Sequence, residues 1–138
     1  MGQQQLLLII LGVIIVGIAV AVGITMFQDN AVSSNRDSMT NDLMHLAAKA
    51  KHYYKRPTSM GGGSYSFAGL SGAAGMALLV TTSFSNNSNG TYEISVPGDA
   101  NSITFRGTGK VALDDTGTNF PILDCVVTKS GQQITIVQ

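Results

Sequence analysis

Leu6–Phe27 reads LLLIILGVIIVGIAVAVGITMF, a run in which Thr25 carries the only polar side chain. As an α-helix rising ~1.5 Å per residue it spans roughly 33 Å, enough to cross a bilayer core of about 30 Å. The run is apolar on every face, so it must be surrounded by lipid or by other protein. The remainder of the 138-residue chain is too small to wrap a bare rod of this length. The segment therefore needs cover from outside its own chain.

Working outward, the residues before the run are Met-Gly-Gln-Gln-Gln, with no Lys or Arg. A cleaved secretory signal has a basic start and a shorter apolar core, so that reading is not favoured. No charged side chain precedes Asp29. All eight basic and eight acidic residues, Asp29 among them, lie from that position onward, and they cancel to a net charge of zero with a pI near 6.7. That balance offers no electrostatic footprint for a nucleic acid. The first base, Arg36, lies well beyond the apolar run, which leaves membrane topology weakly specified. The polar part of the chain is expected on the non-cytoplasmic side. One cysteine, Cys125, excludes an intrachain disulfide and any zinc or haem-attachment spacing.

Past Phe27 the pattern changes without a breaker. Val32, Met39, Leu43, Leu46, Ala50 and Tyr53 form one stripe of near-3.5 period, with Ser33, Asn41, Lys51 and Lys55 off it. Pro57 is the first proline and restricts Arg56, a natural stop. The spacing predicts one continuous helix over about residues 3–55, within a helical segment 1–56. Residues 1–27 form its apolar part and 28–56 its amphipathic part, on which the chain's own domain docks. Asp29, Asp37 and Asp42 come early in that second half, while Lys49, Lys51, Lys55 and Arg56 come late. Acids early and bases late suit the helix macrodipole. The same order would set the basic end of one copy beside the acids of the next in a staggered parallel array.

Residues 57–75 are rich in glycine and read as loop, with a short strand near 64–68. Strands are predicted over Ala77–Phe84, Thr91–Val96, Ser102–Phe105, Gly109–Leu113, Ile122–Thr128 and Gln133–Val137, separated by Asn-, Gly-, Pro- and Asp-rich turns. Alternation is clearest at Tyr92, Ile94 and Val96, and again at Ile134 and Ile136. The expected class is α+β: a long N-terminal helix packed by a small antiparallel sheet domain over residues 76–138.

Chemistry-bearing patterns are sparse. His45 and His52 lie about 10.5 Å apart along a helix, too far to share a metal. Asp114-Asp115 lacks the rest of a calcium loop, and Arg106-Gly-Thr-Gly-Lys110 lacks phosphate-loop spacing and reads as a hairpin. Cys125 sits in an apolar strand, as a structural thiol does. Asn86-Asn-Ser and Asn89-Gly-Thr fit the N-glycan acceptor pattern, making Asn86 and Asn89 candidate modification sites. No catalytic, metal or cofactor site is expected, so the chain reads as a non-enzyme.

An apolar half-helix, an amphipathic continuation, a Gly-rich loop and a small terminal sheet together resemble a type IV pilin or pseudopilin. The resemblance implies subunits held in the inner membrane by the apolar helix until those helices pack into the core of an extracellular filament, or fimbrium. It implies identical subunits, a pilus assembly ATPase, a membrane platform and a prepilin peptidase as partners. Such filaments serve adhesion, motility or DNA uptake. Gln5 stands at the fifth position, counted from Met1, where the family carries glutamate. The self-assembly surface would comprise Gln5, Leu8, Leu11, Ile14, Ile15, Ile18, Val22 and Phe27. The family's helix proline is missing, which leaves Gly17 and Gly23 as the places where the helix could loosen. Physics points the same way: unclosed head-to-tail packing of rods that cannot cover themselves gives an open filament. Alternative readings are a pseudopilin of a secretion system and a membrane-anchored binding domain.

Overall fold

The computed structural model describes residues 2–138. The chain divides into two units, the first ending at Ala31 and the second covering Val32–Gln138. One unbroken α-helix, α1, runs over Gly2–Lys55, as the absence of proline and the sustained pattern require. A single 3-10 turn, Thr58–Met60, follows it. Two short helices come next, α2 over Gly72–Leu79 and α3 over Thr82–Ser85. The rest is a four-stranded antiparallel meander: β1 Gly90–Val96, β2 Ser102–Gly109, β3 Ile122–Thr128 and β4 Gln132–Ile136, in that spatial order. The architecture is α+β, with a long N-terminal helix and a small antiparallel sheet.

The core of the second unit follows from two periodicities meeting. On α1, Val32, Met39, Leu43, Leu46 and Ala50 are buried, joined by Asn35 and Ala47. On the sheet, alternate residues turn inward: Tyr92 and Ile94, Ile103 and Phe105, then Leu123, Cys125 and Val127. Phe67, Leu70 and Met76 close the cluster from the connecting segment. The core-facing row of β2 runs Ile103, Phe105, Gly107, Gly109, so two large side chains give way to a trough. A Cβ on Gly107 would sit 3.3 Å from Met39 Cε, and one on Gly109 only 2.4 Å from Asn35 Oδ1. Glycine at 109 lets Asn35 and Met39 of the helix lie this close, whereas the nearest atom to a Cβ at Gly107 belongs to Tyr92 of β1, at 3.0 Å.

Several expected elements differ. Ala77–Phe84 is not a strand: its first part ends α2 and its last part lies in α3. The run Met-Ala-Leu-Leu has helix formers and no β-branched residue, and a short apolar run has no period to separate the two states. Residues 64–68 form no strand, because Ser64 and Tyr65 take left-handed backbone with φ of 49° and 67°. Their N–H groups instead cap α1, Ser64 donating to the Arg56 carbonyl and Tyr65 to that of Tyr54. The Gly-rich loop ends at Ser71, and the segment from 76 opens in helix rather than sheet. The strands expected over Ser102–Phe105 and Gly109–Leu113 are one strand ending at Gly109, followed by coil. Arg106–Gly109 therefore lies within β2 and is no hairpin. Gly109 makes room for α1 and Gly107 chiefly for the Tyr92 ring; the left-handed glycine of the following turn is Gly117. In β1 a register shift between Ile94 and Val96 leaves Val96 exposed, and Ile136 near the end of edge strand β4 is exposed as well.

Candidate functional site

In the first unit the side chains of the apolar run stand free. Leu8, Leu11, Ile14, Ile15, Ile18 and Val22 are all about half exposed or more, Phe27 is 79% exposed, and Gln5 is exposed too. The helix is long and apolar enough to cross a membrane, and none of its most apolar window is buried. Thr25, the one polar residue in the run, donates its hydroxyl to the Val22 carbonyl at 2.8 Å. No side-chain donor in the run is thus left to object to an apolar surround.

α1 passes through Gly17 and Gly23 without interruption, and a Cβ at Gly12, Gly17 or Gly23 would meet nothing within 4 Å. Each glycine costs helix propensity of about 1 kcal/mol relative to alanine. Nothing inside this chain uses the space it leaves.

A second feature lies at the other end of α1. Lys49, Lys51, Lys55 and Arg56 surround His52, and these cations line three adjoining shallow clefts. One cleft also takes in Tyr53 with Leu78 and Leu79. Among the described residues the only ion pair is Arg106–Asp124, so none of the four cations has an acid partner. Nor do they cap the helix. The carbonyls of Tyr53, Tyr54 and Arg56 accept backbone N–H groups from Gly63, Tyr65 and Ser64.

The asparagine loop before β1 is tied down by Asp42. Asp42 Oδ2 accepts from Asn87 Nδ2 and Asn89 Nδ2 at 2.9 Å each, and from the Tyr92 hydroxyl at 2.7 Å. Burial works to raise the Asp42 pKa, but the hydrogen bonds from Asn89, Tyr92 and Asn87 outweigh it and hold the carboxyl below its ordinary range. Burial and the adjacent carboxylate both raise the Tyr92 phenol. Asn35 Nδ2 adds a bond to the Asn89 carbonyl at 2.8 Å. The two candidate glycan acceptors consequently differ. Asn89 is half-buried with its amide nitrogen committed to Asp42, while Asn86 is exposed and only its oxygen is engaged, by Lys110.

The other singled-out residues do not converge. His45 and His52 are both exposed, and Asp114 holds its own turn by accepting from Thr118 N and Asn119 Nδ2. Cys125 is buried, and burial pushes its thiol up to about 11 even with the Lys51 charge pulling it down. Among the described residues no three His, Cys, Asp or Glu side chains come together to hold a metal. Two polar groupings escaped the sequence reading, the Asp42 cluster and the bidentate Arg106–Asp124 pair at 2.8 Å. The second could have been found, because Arg106 and Asp124 are opposed once β2 and β3 are aligned.

Comparison with protein-family models, with curated proteins and with solved structures finds no match to this chain.

Proposed function

We propose that the chain is the structural subunit of an extracellular filament of the type IV pilus kind, held together by packing its apolar helices against those of identical copies. The observation that carries this reading is the exposure of every large apolar side chain from Leu6 to Phe27, in a chain whose second unit has its own closed core. Removing a Leu, Ile or Val side chain from water is worth about 1.5–3 kcal/mol, and this run offers more than a dozen of them. Lipid supplies that cover before assembly and neighbouring helices supply it afterwards. The unfilled space at Gly17 and Gly23 suits close approach by another helix. Polymerisation would draw on an assembly ATPase and membrane platform, and the subunit itself performs no chemistry.

The reading is tested by Ile14→Asp. A charge at the middle of an apolar helix costs about 2.5–3.5 kcal/mol even in a membrane, so fibres should vanish from sheared cell-surface material. Undiminished fibre yield would contradict the proposal. A membrane-anchored domain is the second reading, favoured by a helix of spanning length attached to a self-contained core. Protein recovered only from detergent-solubilised membrane, never from sheared fibres, would favour it.

A further inference from the structure

We propose that the solvent-facing stripe of α1, formed by Asp37, Asn41, Met44, Ala48, Lys51 and Lys55, receives the α1 helix of a second copy, parallel and offset by about 24 Å, so that Lys51 and Lys55 of one copy flank Asp37 of the next. This inference rests on the filament reading and adds the element that fixes its register.

The stripe steps by 4, 3, 4, 3 and 4 residues, the seam period of two helices packed side by side. It lies opposite the buried row of Met39, Leu43, Leu46 and Ala50. Lys51 is half-buried and the other five residues are exposed, so the second unit leaves most of this face open. Its middle is short or unbranched, Asn41, Met44 and Ala48, which lets a second backbone come close.

Charge names the occupant. Lys51 and Lys55 follow Asp37 by 14 and 18 residues, about 21 and 27 Å along the helix, far beyond side-chain reach within one chain. None of these three residues has an ion-pair partner among the described residues. The chain is neutral overall, yet the four bases Lys49, Lys51, Lys55 and Arg56 at the end of α1 and just past it are segregated from the helix's acids. Copies stacked head to tail neutralise one another, whereas copies in register set base against base. Arg36, the base nearest Asp37, is half-buried and off the stripe. The helix C-terminus does not use these lysines as caps, since the carbonyls of His52, Tyr53 and Tyr54 accept backbone N–H groups instead. Single exposed pairs contribute little, so the bases select the offset while apolar burial supplies the drive.

The test uses the full chain in cells carrying the assembly machinery, with sheared fibre yield as the readout. Lys51→Glu with Lys55→Glu should lower the yield about tenfold, equivalent to ~1.4 kcal/mol. Asp37→Lys alone should lower it as well. Combining all three restores opposite charges across the junction and should return the yield to within about twofold of wild type. Wild-type yield from the double variant, or a triple variant no better than the double, overturns the inference while leaving the filament reading intact. Absence of fibres from the wild-type chain overturns both.

Discussion

Tyr92 on β1 donates its hydroxyl to Asp42 Oδ2 on α1 at 2.7 Å, joining residues fifty positions apart in the chain. The same oxygen accepts from Asn87 and Asn89, so one carboxylate fastens helix, loop and first strand. Hydrogen bonds to a charged group are the stronger kind, and loss of one leaves a partly buried partner exposed to the deficit. Tyr92→Phe should destabilise the sheet domain by about 1–2 kcal/mol, measured by thermal unfolding of the full chain in detergent. An unchanged Tm would show that the hydroxyl is idle.

The same carboxylate sets a pH dependence. Its folded pKa is lowered from 3.8, so its contribution is fully present above that value and is lost as pH falls below it. Wild-type stability should therefore decline below pH ~3.8, and Asp42→Asn should flatten part of that decline while lowering stability at neutral pH. Parallel pH profiles for the two proteins would remove Asp42 from the account.

Glycines in the two units should respond in opposite ways. At Gly109 an added methyl meets Asn35 Oδ1 and Pro121 Cγ, at 2.4 and 2.5 Å. Gly109→Ala should destabilise the sheet domain by about 1–3 kcal/mol. At Gly17 the methyl meets nothing, so Gly17→Ala should leave the sheet domain's Tm unchanged. On the filament proposal it should nevertheless reduce fibre yield, because that reading brings a neighbouring helix into the vacant space. Normal fibres from Gly17→Ala would deny the glycine that role.

Cys125 is buried on the inward face of β3, with its thiol pushed up to about 11. At pH 8 the folded chain should resist maleimide for hours, and denaturant should open it to full labelling. Prompt labelling of the folded protein would mean that the core is looser than the packing of Leu123, Cys125 and Val127 implies.

The helix was legible in the sequence because its signal is long: an unbroken apolar run, then a sustained stripe through Val32, Met39, Leu43 and Leu46. The sheet was legible where alternation was strong, as at Tyr92 and Ile94. The segment 77–84 was not, because a short apolar run of Met, Ala and Leu satisfies either state until tertiary contacts decide. The Asp42 cluster was hidden for a different reason. Its donors sit 45 to 50 residues away, and only the folded docking of α1 on the sheet brings them to one oxygen. The trough at Gly107 and Gly109 was misread as a turn, since glycine spacing alone does not say whether a bend or a close neighbour requires it.

The central claim is that the apolar half of α1 is sheltered by copies of itself. Electron cryomicroscopy of fibres sheared from the cell surface tests it most directly. The account predicts a polymer whose axis is filled by many parallel helices, with Leu8, Ile14, Ile18 and Val22 of each in contact with its neighbours. A fibre core free of these helices, or a purified protein that remains a single water-soluble particle, would contradict it.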